Sequence, residues 1–240
     1  MGDASEEKAR QYYDDFSDSY ERGRGYGYHQ MIDDLEVQVT TPFARDARVL
    51  ELGCGTGLIL ARIAEVAKEA VGIDLSEGMA QRARDRGLDV HIGSVCDLPF
   101  EDEQFDLTYC FKVLAHVPDI DAAIREATRV TRPGGHLLLE FYNPWSLRYL
   151  AKKVAGSQPI GDDRTEADIS TRWDSPRDIP GLLPPNLELV DYYGVRVLTP
   201  FAAVHRIPGV ARGLSRAEQL ASRSPLRYFG GFLIAVLRKS

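Results

Sequence analysis

Three glycines at alternate positions follow an acid in the run Glu51-Leu52-Gly53-Cys54-Gly55-Thr56-Gly57. Glycine lets a backbone pass close to a ligand and turn its N–H groups toward it. Asp74 stands 21 residues after Gly53 and ends the short apolar run Val71-Gly72-Ile73-Asp74. A carboxylate there is placed to accept hydrogen bonds from ribose hydroxyls. The two features together read as a site for a nucleoside-containing cofactor. A dinucleotide fingerprint would need a third glycine at position 58, and that residue is Leu58. No phosphate-loop lysine follows, which leaves a triphosphate site unsupported. A nicotinamide-dependent oxidoreductase is thus the weaker alternative. A non-catalytic nucleoside-binding module is a further one, against which the intact glycines and Asp74 argue.

Other side chains could do chemistry. Imidazoles titrate near neutrality, so His116 and His29 are the candidate general bases. Tyr20, Tyr26, Tyr28 and His29 surround the glycines at 23, 25 and 27. Those glycines forbid a stable helix, and the segment from Tyr12 to His29 is expected to form a mobile lid. The cysteines Cys54, Cys96 and Cys110 form no C-x-x-C pair and no even set. Neither a metal centre nor a disulfide scaffold is expected, and a cytoplasmic location follows. Arg148, Lys152 and Lys153 could touch an anionic acceptor or a membrane surface, or form only a solvated face. Trp145, Leu147, Tyr149 and Leu150 could form an apolar substrate wall or equally be core.

These residues need elements to hold them. Asp3 and Ser5 can cap a first helix, with Tyr12, Phe16 and Tyr20 on one face. A second helix is expected from about His29 to Val39, stopping before Pro42. From Arg48 onward, short apolar runs alternate with helical spacing. Strands are expected at 49–52, 71–74, 90–92, 105–111 and 136–142, with Arg132-Pro133-Gly134-Gly135 as a turn. Such alternation implies right-handed crossovers and a parallel sheet covered on both faces. The runs 187–198 and 231–238 break that rhythm and suggest an antiparallel pair at the sheet edge.

The chain has 240 residues, with 29 basic and 36 acidic side chains and a net charge of −7. That balance disfavours a nucleic-acid partner. Apolar residues make up 44%, enough for a core. No run reaches the length of a membrane span, and the polar start MGDASEEKAR does not read as a secretory signal.

Five segments stand in register: VLELGCGTG (49–57), VGIDLSEGM (71–79), GSVCDLPFEDEQFD (93–106), VLAHVPD (113–119) and TRPGGHLLL (131–139). In this series the chain resembles the class I S-adenosylmethionine-dependent methyltransferases over roughly residues 10 to 143. Its wording is similar to that of the small-molecule branch that includes quinone-biosynthesis methyltransferases. The resemblance implies a Rossmann-like, doubly wound, seven-stranded α/β sheet, mostly parallel with an antiparallel C-terminal strand pair. One domain is implied, with a helical lid at 1–42, a cofactor-binding core at 43–143, and substrate-side insertions and edge strands at 144–240. It also implies S-adenosyl-L-methionine as cofactor and a small-molecule methyl acceptor as partner. Glu51, Gly53, Cys54 and Gly55 would line its methionine part, with Cys54 as a small filler. Asp74 would hold the ribose, and Leu75 and Met79 would pack the adenine. Ser94 replaces the aspartate that commonly meets the adenine amino group, and Asp97 is a candidate substitute. Val95 would offer its backbone N–H, and Phe111 its carbonyl to the cofactor's ammonium. Tyr20 matches the N-terminal tyrosine that family members place against the cofactor. The oligomeric state and the acceptor atom are not fixed by any of these residues.

Overall fold

The computed structural model describes residues 2–17, 20–21, 27–155, 159–160, 164–165, 171–207 and 209–240. Five strands alternate with helices: β1 (Arg48–Leu52), β2 (Glu69–Asp74), β3 (Asp89–Ile92), β4 (Phe105–Cys110) and β5 (Thr131–Tyr142). A two-residue ribbon follows, β6 (Pro159–Ile160) with β7 (Arg164–Thr165), then β8 (Leu187–Val195) and β9 (Phe232–Lys239). The main sheet has seven strands in the order β3-β2-β1-β4-β5-β9-β8. Strands β1 to β5 are mutually parallel, and β9 runs antiparallel to both β5 and β8. The expected α/β class and C-terminal pairing are therefore present.

The helices are α1 (Gly2–Phe16), α2 (Tyr28–Ala44), α3 (Leu58–Ala64), α4 (Glu77–Asp85), α5 (Ile120–Val130), α6 (Leu147–Ala155) and α7 (Val210–Ala221). Strand alternation sorts the core onto two faces. Leu50, Leu52, Phe105, Leu137 and Leu139 pack with Ile120 and Ile124 of α5. Val49, Leu107, Tyr109 and Leu138 pack with Met31, Leu35 and Val39 of α2 and Ile59 and Ile63 of α3. Among the described residues, no helix is long and apolar enough to cross a membrane, and no His, Cys, Asp and Glu cluster is arranged for a metal ion.

Several local expectations are corrected. Helix α1 starts at Gly2, so Asp3 and Ser5 lie inside it rather than capping it. It ends at Phe16, where Ser17 turns back to bond the Asp14 carbonyl through both N–H and Oγ; Tyr20 therefore lies past the helix and not on its face. Helix α2 runs through Pro42 to Ala44. A proline so near the C-terminus removes one hydrogen bond, and buried Val39 and Ala44 hold the last turn in the core. Because α2 is core, the lid reading keeps only the residues before Tyr28. Arg132 to Gly135 is not a free turn but the irregular start of β5, where the pairing with β4 shifts register between Phe105 and Leu107. Strand β8 ends at Val195, because Arg196 takes a positive φ of 59°. The lid glycines 23 and 25 and Tyr26 lie outside the described residues.

Candidate active site

Strand β1 delivers Glu51, and the turn after it carries Gly53 (φ 68°) and Gly55 (φ 54°) in the left-handed region. At Gly53 an added Cβ would meet Val113 Cγ2 at 2.4 Å, so that glycine is required by packing. At Gly55 an added Cβ would meet nothing within 4 Å. The side of the turn that a ligand would approach is open there, which suits a cofactor lying against the backbone. Gly53 and Cys54 donate to the Ile73 carbonyl of β2, fixing the turn beside Asp74.

The Asp74 carboxylate accepts from Gly55 N at 2.7 Å and from Ser76 N at 2.9 Å. Each oxygen keeps a further lone pair for a ribose hydroxyl. Burial raises its pKa, against which these N–H donors act. Glu51 is buried and accepts from the Tyr109 hydroxyl at 2.9 Å. Burial pushes its carboxyl up to about 8, so it holds a proton at neutrality. Leu75 is half-buried, and Met79 is fully buried with its N–H on the Ser76 cap. The Cys54 thiol is packed with Leu60, Ala80, Ala83 and Val90, and burial pushes its pKa up. Only its backbone remains for the turn, and it is no nucleophile.

Helix α1 crosses this end of the sheet. Asp14 Oδ1 accepts from Ser76 Oγ at 2.5 Å and from Gly78 N at 3.0 Å. Ser94 Oγ donates to Glu6 Oε1 at 2.8 Å and accepts from Cys96 N. Asp97, the expected substitute acid, is exposed, whereas Glu6 brings a carboxylate to Ser94 itself. Tyr13 lies within electrostatic reach of both Asp74 and Tyr142, and burial raises its phenol's pKa. Tyr20 is half-buried and within electrostatic reach of Tyr13 and Lys112. Val95 packs half-buried against the core, and Phe111 is buried with its ring 5.1 Å from Tyr109.

Two residues past the end of β4, Lys112 takes a left-handed φ of 61°. Its N–H donates to Glu140 Oε1 at 3.0 Å, and its Nζ reaches Glu36 Oε2 at 2.6 Å and Asp33 Oδ1 at 3.2 Å. Glu36 and Glu140 are completely buried, and burial together with Glu36 pushes Glu140 up. This cluster ties α2 to the end of β4 and holds the loop that presents His116. His116 is half-buried, with Nε2 3.4 Å from the Tyr142 hydroxyl and the rings edge-on at 5.5 Å. Burial pushes the Tyr142 phenol up to about 12, which keeps it neutral. His29 is exposed at the start of α2, edge-on to Tyr28.

The segment after the ribbon lies over the strand ends, with Arg172 N donating to Ala115 O and Asp174 N to Tyr142 O. It sets Trp173 beside Tyr142 and Tyr149, at 5.6 and 4.7 Å between ring centres. Trp145, Leu147 and Leu150 are exposed, so they are neither core nor a closed wall; Tyr149 alone of that set packs inward. Sequence reasoning missed Tyr13, Tyr142, Glu6 and the Lys112 cluster. Tyr142 alone left a signal, as the last residue of an apolar strand.

The comparisons fit this geometry. Residues 50–139 match the family described as "Methyltransferase domain". A ubiquinone biosynthesis O-methyltransferase of Xanthomonas oryzae is 39% identical over 121 residues, which is 48% of this chain and 50% of that protein. The chain thus spans about half the length of the curated relatives it matches. A solved S-adenosylmethionine-dependent methyltransferase of Thermotoga maritima, described as a possible histamine N-methyltransferase, superposes with a TM-score of 0.71 at 21% identity. That match covers 96% of this chain and 99% of the other. The [4+2]-cyclase SpnF superposes at 0.67 with 22% identity, covering 98% and 96%. Residues 50–139 form a class I S-adenosylmethionine-dependent methyltransferase domain, on the Rossmann-like sheet of that class, and S-adenosylmethionine is the methyl donor of such a domain.

Proposed function

We propose that this protein transfers a methyl group from S-adenosylmethionine to a hydroxyl on a small-molecule acceptor. The observation that supports this reading is the Asp74 carboxylate, held by Gly55 N at 2.7 Å and Ser76 N at 2.9 Å beside a glycine turn that is open at Gly55. In this reading Asp74 holds the ribose, and Glu51, Gly53, Gly55 and the Cys54 backbone line the methionine part. The Phe111 carbonyl faces the ammonium. Leu75 and Met79 pack the adenine, while Ser94, Val95 and Glu6 meet its amino edge. The bound sulfonium supplies an already activated methyl group, so the chain's own task is alignment, water exclusion and proton removal.

His116 takes the acceptor's hydroxyl proton at Nδ1, while its Nε2–H, held on the Tyr142 hydroxyl, keeps that ring oriented. Tyr20 and Tyr13 close the site from above. The similarity to ubiquinone biosynthesis O-methyltransferases favours oxygen as the acceptor atom. The SpnF likeness favours a second reading, in which the same fold runs a reaction without methyl transfer.

A screen of hydroxylated small molecules with methyl-labelled S-adenosylmethionine tests the proposal. Label should appear in an acceptor, with one S-adenosylhomocysteine released per methyl moved. An acceptor consumed without S-adenosylhomocysteine would replace it with the second reading.

A further inference from the structure

We propose that Arg148 binds the methyl acceptor, and that the acceptor is an aromatic compound bearing a carboxylate. The inference rests on the methyl-transfer reading and names the substrate class for the same site.

Arg148 differs from the arginines around it. Arg196 donates to the Tyr28 hydroxyl, the Thr199 carbonyl and the Pro200 carbonyl. Arg172 is held by both oxygens of Asp174. Arg148 Nη1 is buried and donates to no described group. Its guanidinium instead lies over three rings, 4.5 Å from the centre of Tyr142, 4.7 Å from Phe232 and 5.0 Å from Trp173. These faces stabilise the charge and fix its plane, yet they leave the buried N–H without an acceptor. A planar carboxylate matches the guanidinium fork and supplies what is missing.

The surroundings favour an anion. Helix α6 carries no acid, and Lys152 adds a second cation 5.7 Å from the Trp173 ring centre. Glu140, the acid near Tyr142, is engaged by the Lys112 N–H. Burial holds the Arg196 guanidinium below its ordinary value, and the nearby charge of Arg148 adds to this. Gly231 gives both stems their room: a Cβ there would lie 3.2 Å from Arg148 Cβ and Cδ and 3.2 Å from Arg196 Cδ. Tyr142 connects the pieces, since its ring lies under Arg148 and its hydroxyl meets His116. An aromatic acid gripped at its carboxylate would lie among these rings and bring a ring hydroxyl toward His116.

The test is calorimetric titration of the S-adenosylhomocysteine-saturated protein with 3,4-dihydroxybenzoate and with its neutral isostere, 3,4-dihydroxybenzamide. Wild type should prefer the benzoate by about tenfold or more, the value of one charge-assisted pair. Arg148→Met should bind both alike while keeping its affinity for S-adenosylhomocysteine, and Arg148→Lys should restore part of the preference. Equal affinity in wild type, no benzoate binding at millimolar concentration, or a preference that survives Arg148→Met overturns the proposal. A fall in Tm with the preference unchanged does so too, since it would make Arg148 a structural clamp only. Should Arg148→Met not fold, the wild-type comparison and Arg148→Lys decide. Failure to saturate with S-adenosylhomocysteine would count against the cofactor reading alone, and the same titrations on the free protein still decide the anion site.

Discussion

The hydroxyl of Ser94 donates to the carboxylate of Glu6 across 2.8 Å, although 88 positions separate the two residues. Where the resemblance leads one to expect an aspartate on the sheet, an acid from α1 stands instead. The first helix thereby becomes part of the cofactor cleft rather than a separate appendage. Asp14 repeats the pattern at the α4 cap.

Asp14→Ala removes the acceptor for Ser76 Oγ and Gly78 N, so α1 should loosen from the cleft. Hydrogen exchange in α1 should quicken while β1 and β4 stay protected, and affinity for S-adenosylhomocysteine should fall about tenfold. In wild type the ligand should slow exchange in α1. Equal protection with and without ligand would make α1 a static helix and remove the lid from the mechanism.

Glu51 carries a pH signature. Burial raises its folded pKa from 4.5 to about 8. The protonated carboxyl thus contributes stability that is fully present below the unfolded pKa and is lost as pH rises through about 8. Glu51→Gln copies the protonated form, so its Tm should match wild type near about pH 4 and exceed it by a margin that grows until about pH 8. If the cofactor's ammonium sits beside Glu51, binding at neutral pH should release a proton, seen as a buffer-dependent heat in calorimetry. The same heat in every buffer would place the ammonium elsewhere.

His116 and His29 separate in the structure, one against Tyr142 and the other exposed on α2. On an identified acceptor, His116→Ala should lower kcat by roughly a hundredfold and flatten the acid limb of the pH profile. Tyr142→Phe should give a smaller loss, because it only orients the ring, and His29→Ala should be near wild type. Full activity in His116→Ala would mean that alignment alone drives the reaction.

The glycine turn and Asp74 were legible because their chemistry is local: a strand, a turn and a strand tip within a short stretch of chain. The parallel sheet was legible from the alternation of apolar runs with helical spacing. Arg148 could be named from sequence only as one of three bases, since its isolation depends on which rings β5, β9 and the 172–174 segment bring around it. Lys112, Glu36 and Glu140 were invisible for the same reason: their contacts join α2 to β4 and β5 across 76 and 28 positions. Pro42 misled because a proline stops a helix only when the lost bond is not offset, and the buried side of α2 offsets it. Tyr12 took the place of Tyr13 because spacing identifies a helix face without saying which side of it meets the cleft.

A cofactor held by the Gly55–Asp74 pair is tested most directly by calorimetric titration with S-adenosylhomocysteine. Wild type should bind the sulfur nucleoside and show no heat with NADH. Asp74→Ala should lose affinity at least about tenfold, because it removes charge-assisted bonds to the ribose of about 1.5–3 kcal/mol each. The folded variant should also melt lower, since Gly55 and Ser76 lose their acceptor. Unchanged affinity in folded Asp74→Ala, or binding of NADH in place of S-adenosylhomocysteine, would show that the Gly55–Asp74 pair does not hold this cofactor.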